Sequence, residues 1–518
     1  MGDSEHNTSG ISKQQLPLNL VGNFCYFIVH VAVGLLLVPF FISSLGIAAY
    51  GIIPLAVSLN GYVGILTQSL NIAVTRYLTV DLQSQNYIRA NKTFNTAFFG
   101  ITGIIILMIP VIAIISFLAP TIFNVPSGQE TESVFLFLGV TSSFLIRTWS
   151  SNFTVSLFAY NRLDLMNLIE IINVIVQVFL IVSLFLLKGP SLAFVGLAYL
   201  ISGVVALVLA IILSKRINPY LKIDISQFNR SRLVELFRMG WWVVVNQIGA
   251  LFFHQFDLIV VNVLFGATVS GEYAIAVQWV ILLRAIAGVL AGVLTPVILI
   301  YYANKQIESL IEVSKSAVKI MGLAMSLPIG LICGFAPQLL TIWIGSEYVD
   351  IAPLMVILTI TLSINLSVLP LFSINVAYNK VKIPGIVTFL MGVGKVGLIV
   401  WLPLITGWGL YGVAMGSVIA LTLKNVLFTP WYATKILGLP KFTFIKSIFP
   451  GVISTLGVIG ATFVSSFVFR MSVIPLLIIS GLAISCGYLI VLWLLGFNKF
   501  ERDLFLSFLP KQIRGIFE

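Results

Sequence analysis

Apolar runs of about twenty residues follow one another from Leu16 to near Leu495, separated by short polar turns. A helix of that length crosses the roughly 30 Å hydrocarbon core of a bilayer. With 59% hydrophobic and only 9% charged residues in 518, the chain falls outside the composition of soluble globular domains. The expected fold is all-α, a polytopic membrane protein of about fourteen transmembrane helices. The first apolar run, near 16 to 42, exceeds a signal-peptide core and reads as a retained span. Cys25, Cys333 and Cys486 sit inside apolar runs and the three histidines are scattered, so neither a disulfide framework nor a metal site is expected.

The spans fall near 18–43, 50–79, 94–119, 133–159, 168–187 and 194–213, and again near 241–264, 273–302, 318–342, 351–378, 385–405 and 413–434, followed by two more near 450–469 and 474–495. Ala159-Tyr160-Asn161-Arg162 ends the fourth and Ala377-Tyr378-Asn379-Lys380 the tenth; Gly196-Leu197-Ala198 is matched by Gly412-Val413-Ala414, and Leu45-Gly46 through Tyr50 by Phe265-Gly266 through Tyr273. Such matches in one order mark an internal repeat. The expected domains are an N-terminal lobe of six helices (1–213), a cytoplasmic amphipathic linker (214–240), a C-terminal lobe of six helices (241–434) and a pair of extra helices with a cytoplasmic tail (435–518). Six spans separate the copies, so the two lobes share an orientation and are expected to enclose a central cavity, an arrangement suited to alternating access.

A formal net charge of +11 could suggest nucleic acid, but the basic residues gather in alternate loops, among them Arg89, Lys92, Arg162, Lys215, Arg216, Lys305 and Lys380. The opposite set carries Glu130, Glu132, Glu272, Glu347 and Asp350 against Lys188 and Arg470. The positive-inside rule then places the first set, and both termini, in the cytoplasm of a cell (inner) membrane, and no nucleic-acid partner is expected. Phe228, Leu233, Leu236 and Phe237 among Arg230, Arg232 and Arg238 read as an amphipathic helix lying on anionic membrane lipids. Phe500, Leu504 and Phe508 among Lys499, Arg502 and Lys511 read the same way at the C-terminus.

Leu45-Gly46-x-x-x-Tyr50-Gly51, Thr75-Arg76, Phe265-Gly266 with Gly271-Glu272-Tyr273, Thr295-Pro296, Trp343-x-Gly345 and Ala377-Tyr378-Asn379-Lys380-x-Lys382-Ile383-Pro384 stand at or near the ends of predicted spans. In these the chain resembles, over about its whole length, the polysaccharide-type flippases of the superfamily that also holds multidrug and toxic-compound extruders and peptidoglycan precursor flippases. The resemblance implies movement of a polyprenyl-diphosphate-linked oligosaccharide to the outer leaflet for surface polysaccharides such as O-antigen. The chain is expected to work as a monomer, alone or with polysaccharide assembly proteins. No P-loop, dinucleotide fingerprint or acidic cluster is present, so an enzyme and a cofactor are not expected; H+ or Na+ is the candidate coupling ion.

Four cations sit inside predicted spans, Arg147, Arg284, Lys395 and Lys424. Each costs roughly 2.5 to 3.5 kcal/mol to insert, so such groups are kept where they face a bundle interior or a wet path. Ser143, Arg147, Ser151 and Thr154 share a helix face, and Asn365 takes the position of Arg147 in the second lobe. On the seventh span Asn246, Ala250 and Asp257 fall on one face, with Gln247 and His254 beside it. Asp257 could hold a proton or Na+, or pair with Arg284; His254 and Glu170 read as structural, the latter as a capping or interfacial group. A positive interior suits a diphosphate, which Arg grips through paired charge-assisted hydrogen bonds. The hydroxyls and amides of Ser143, Asn246 and Asn365 suit sugars. The competing reading is an ion-coupled multidrug antiporter with Asp257 as its coupling residue.

Overall fold

The chain forms α1 (Gln15–Leu45), α2 (Ile47–Gln83), α3 (Tyr87–Ile122), α4 (Glu130–Ala159), α5 (Leu163–Lys188), α6 (Leu192–Ile217), α7 (Arg230–His254), α8 (Phe256–Phe265) and α9 (Ala267–Ala303). After these come α10 (Ile307–Gly334), α11 (Ala336–Trp343), α12 (Ala352–Ile360), α13 (Leu362–Asn365), α14 (Leu371–Ala377), α15 (Lys382–Thr406), α16 (Gly409–Leu423), α17 (Thr429–Leu437), α18 (Ile445–Val468) and α19 (Ile474–Val491). This computed structural model describes residues 15–468, 474–498 and 501–502. The polar start of the chain, the loop carrying Arg470 and the expected amphipathic tail, apart from Glu501 and Arg502, lie outside the described residues.

The protein is an all-helical, multi-pass membrane protein. Twelve described helices are long and apolar enough to cross a membrane, and the pair α7–α8, bent by 41°, makes a thirteenth. The expected count of fourteen is not reached among the described residues, where Ile47–Tyr62 of α2 forms a shorter apolar helix. Two single spans expected from the sequence are broken. The seventh divides at Gln255, inside the polar run from His254 to Asp257. The tenth divides into α12, α13 and α14, where Ser363 and Ser367 hydroxyls donate to the carbonyls of Ile360 and Ile364 (2.7 Å each) ahead of Pro370. Serine back-bonding bends helices, and proline cannot continue the ladder.

The turns carry the repeat more clearly than the helices do. Residues with left-handed φ pair off as Gly46 with Gly266, Gln85 with Lys305, Gly128 with Gly345, Asn161 with Asn379, and Gly189 with Gly407. The separations run from 217 (345 minus 128) to 220 (266 minus 46). At Asn161 and Asn379 the closing bonds also match: Arg162 N–H donates to Leu157 O and Lys380 N–H to Asn375 O, both at 2.8 Å. Asn86 N–H to Asp81 O and Gln306 N–H to Tyr301 O, both 3.0 Å, repeat the same motif at Gln85 and Lys305. Each turn satisfies carbonyls that a helix end leaves without partners.

By packing, the chain divides into two compact units, 1–271 and 272–518. In the first, α4 is the central helix, buried against α6, α2 and α3. The α4–α6 contact is made backbone to backbone, since a Cβ on Gly139 would fall 2.2 Å from Gly196 O and one on Gly196 would fall 2.5 Å from Phe135 O. Gly139→Ala should therefore destabilise the protein by about 1 to 3 kcal/mol, measurable as lower folded yield and earlier thermal unfolding in detergent. An apolar cluster of Leu78, Phe94, Phe98, Phe153 and Leu157 fills the space between α2, α3 and α4. At one end of this unit meet the start of α1, the α2–α3 and α4–α5 turns and the connection after α6: Asn19 bonds Asn161 O (2.9 Å), Gln83 bonds Ala159 O (2.7 Å) and Asn91 bonds Tyr220 O (2.9 Å). At the other end Asn124 and Asn262 exchange three hydrogen bonds of 2.7 to 3.2 Å.

The connection 214–240 is not a helix lying free on a surface. Asn95 binds its backbone through Lys222 O (2.8 Å) and Asp224 N–H (2.8 Å), and from Arg230 onward it already forms the first turns of α7. Arg232 stacks over Tyr77 at 4.1 Å and reaches Asp81 at 3.8 Å; Arg89 meets the same carboxylate at 3.2 Å and Thr93 donates to it at 2.8 Å. Hydrogen bonds from Arg232 and then Tyr77 hold the Glu235 carboxyl below the usual range, so this latch keeps its charge into mildly acidic solution and loses it only as pH falls through that lowered value. Because α7 is tied to α2 and α3, it packs within 1–271, whereas the repeat boundary read from the sequence lies ahead of it.

In the second unit the two extra helices are not a loose appendage. α18 crosses α10 at backbone contact, Gly451 against Gly322, and Gly330 against Val458. Lys319 of α10 pairs with the buried Glu501 at 2.7 Å.

Candidate functional site

Within the first unit, α2, α4, α5 and α7 surround a cavity of about 660 Å³, inside the range of small-molecule sites. The polar face of α4 supplies Arg147, Thr148, Ser150, Ser151 and Thr154; α5 supplies Asn167 and Glu170; α2 supplies Asn60 and Asn71; α7 supplies Gln247, and the break after it Gln255. Phe144, Ile65, Leu251 and Ile169 close the apolar remainder. Ser151 donates to Asn71 Oδ1 at 3.0 Å, and Asn167 donates to Asn23 Oδ1 of α1 at 2.6 Å. Asn60 Oδ1 is buried and accepts no hydrogen bond from the described residues.

Arg147 Nη2 lies 2.6 Å from Glu170 Oε2, and the two side chains stay 41% and 33% exposed. The guanidinium is thus neither sealed in the core nor turned away from the hollow; it faces the cavity with a carboxylate beside it. Glu170, expected to cap α5, instead sits two turns inside that helix, which begins at Leu163, because α5 starts earlier than its apolar run suggests. The other expected polar residues divide. Ser143 packs against Gly203 of α6, on the buried flank of α4. Asn246 is exposed, and its neighbour Gln247 takes the lining position. His254 ends α7 and Asp257 lies in the first turn of α8, where the helix dipole favours a negative charge.

In the second unit Asn365 is buried at the end of α13, donating to Thr422 Oγ1 at 3.2 Å and accepting from Asn425 Nδ2 at 3.1 Å. It knits helices together there. Asn425 belongs to a π-helical turn, Lys424–Phe428, that joins α16 to α17, and Lys424 Nζ stands 5.4 Å from the Phe372 ring. Lys395 on α15 is 1% exposed and Lys424 9%. Arg284 is half-buried on α9, on the helix face that also carries Gly288 and Gly292. The structure therefore brings Lys424 close to Asn365, and gathers Arg147, Glu170 and the amides of α2, α5 and α7 around one hollow. The amides at 60, 71, 167 and 255 escaped the sequence reading because helical spacing shows which residues share a face, not which faces converge.

Residues 22–301, more than half the chain, match the family described as "Polysaccharide biosynthesis protein". The chain is 31% identical over 490 residues, 95% of its own length and 97% of the relative's, to the "Uncharacterized membrane protein EpsK" of Bacillus subtilis (strain 168). The chain belongs to the polysaccharide biosynthesis protein family. Solved structures of similar fold include "Lipid II flippase MurJ, inward closed conformation", at a TM-score of 0.65 and 17% identity over 94% of this chain and 99% of that one. Another is the inward-facing conformation of a multidrug resistance MATE family transporter of the MOP superfamily, at 0.58 and 16% identity over 84% of this chain and 95% of that one. At these identities the likeness is one of fold.

Proposed function

We propose that this protein is a flippase that moves a polyprenyl-diphosphate-linked oligosaccharide across the cytoplasmic membrane by alternating access, with both termini in the cytoplasm. One observation carries the reading: a guanidinium, paired with the Glu170 carboxylate, reaches a hollow otherwise lined by amides, hydroxyls and apolar side chains. Arg offers a planar fork matched to phosphate oxygens, and Asn60, Asn71, Asn167, Gln247 and Gln255 offer donors and acceptors for sugar hydroxyls. The lipid tail stays in the bilayer, so the cavity need hold only the headgroup. Family membership and the fold shared with a lipid II flippase support the same reading.

Arg284, Lys395 and Lys424 are proposed as further substrate-binding cations. Because Lys395 and Lys424 are buried here, they would act as such only in a state in which α15 and α16 have parted. Asp257 is the candidate for ion coupling by H+ or Na+. The test is reconstitution of the full chain in liposomes, with accessibility of a labelled polyprenyl-diphosphate-linked saccharide read in the opposite leaflet. Protein-dependent translocation of that lipid is expected, with no efflux of cationic dyes. Dye efflux that disappears in Asp257→Asn, without lipid translocation, would instead establish the antiporter.

A further inference from the structure

Arg147 does not wait for its ligand with an empty fork. Glu170 already holds it at 2.6 Å, and both groups face the cavity, 41% and 33% exposed. A pair exposed to that degree is worth little, because water competes for both charges. An incoming phosphoryl group with more than one negative charge and several acceptor oxygens outbids a single carboxylate. Once it does, Glu170 is left beside a concentrated negative charge of its own sign. A like charge within about 4 to 6 Å disfavours ionisation.

Resting on the flippase reading above, we propose that Glu170 is a resident rival anion for Arg147, and that it surrenders the guanidinium to the substrate phosphate by taking up one proton from water. The exchange sets specificity, because only a group more strongly anionic than a carboxylate displaces Glu170. It also makes the loaded cavity one unit less negative than it would otherwise be, which lowers the cost of carrying the headgroup through a low-dielectric passage. Release on the far side returns the proton as the ion pair reforms.

The groups that face this pair are few. From α1, Tyr26 and His30 act electrostatically on Glu170, and from α6 Tyr199 acts on Arg147. α2 and α7 present amides, with no ionisable side chain lining the cavity among the described residues. His30 is the neighbour that can also carry a proton, so it needs its own control.

The experiment titrates a short-chain polyprenyl diphosphate, with the matching polyprenyl alcohol as comparison, onto the full-length protein in detergent between pH 6.5 and 8.5. Binding that takes up one proton weakens by about tenfold per pH unit. The native protein should show that slope beyond whatever the phosphate's own titration gives, His30→Gln should keep it, and Glu170→Gln should lose it while binding about tenfold or more tightly at pH 7.5. Equal slopes in the native protein and Glu170→Gln, or weaker binding by that variant, overturn the proposal. Loss of the slope in His30→Gln assigns the proton to the histidine and overturns it too. If Arg147→Gln binds the diphosphate as well as the native protein does, the phosphate is not at Arg147 and the flippase site itself has been misassigned. Loss of binding in Arg147→Gln with unchanged slopes elsewhere leaves that site standing and removes Glu170 alone.

Discussion

Replacing Arg147 with Gln should leave the protein in the membrane in ordinary amount while cutting lipid-linked saccharide translocation by about 10- to 150-fold, the equivalent of about 1.5 to 3 kcal/mol for lost charge-assisted hydrogen bonds to phosphate. Folding should survive because the side chain is 41% exposed and its ion pair with Glu170 faces a wet hollow, where such pairs contribute about 0 to 1 kcal/mol. Arg147→Lys keeps the charge but not the fork, and should recover part of the activity. Undiminished translocation by Arg147→Gln in the liposome assay would remove the residue from the transport path.

The opposite balance holds for Asp81. Its carboxylate is 3% exposed and gathers Arg89, Arg232 and Thr93. Asp81→Ala removes the buried carboxylate of this network and leaves Arg232, 11% exposed, with the half-exposed Glu235 as its remaining countercharge. Losing one partner of a buried pair costs about 3 to 5 kcal/mol, a large part of ordinary folding stability. The expected result is a protein that fails to accumulate, or one in which a protease cuts the connection after α6. Accumulation and protease resistance equal to the native chain would show that the hydrogen-bonded ladder from Asn91 and Asn95 holds this segment without the carboxylate.

Much of the fold was legible in the chain because lipid leaves few choices: a backbone that must satisfy itself reads as helices wherever twenty apolar residues occur together. The broken spans were not legible. Nothing as conspicuous as proline marks the bend at Gln255, and the divisions of the tenth span depend on Ser363 and Ser367 choosing a backbone carbonyl over another partner. The repeat was half-visible. Asn161 and Asn379 signal a left-handed corner by residue type, whereas Gln85 and Lys305 occupy the same corner with side chains that carry no such signal.

The site followed the same rule. Arg147 stood out because its cost in lipid demands an explanation, and Ser151 and Thr154 followed from its spacing. Ser143 lies on the same stripe yet meets Gly203, since one helix turn separates the wall of the hollow from the α4–α6 seam. Glu170 was misjudged because its place was measured from the apolar run rather than from the true start of α5.

The glycine-lined seam between α4 and α6 has a mechanical consequence. Two rods fused main chain to main chain behave as one girder, and Arg147 is bolted to it. Glu170 rides on α5, which leans on α1 and α6 and touches α4 only sparsely. On the flippase reading, the guanidinium is then the fixed point of the pair and the Glu170 carboxylate the partner that swings aside.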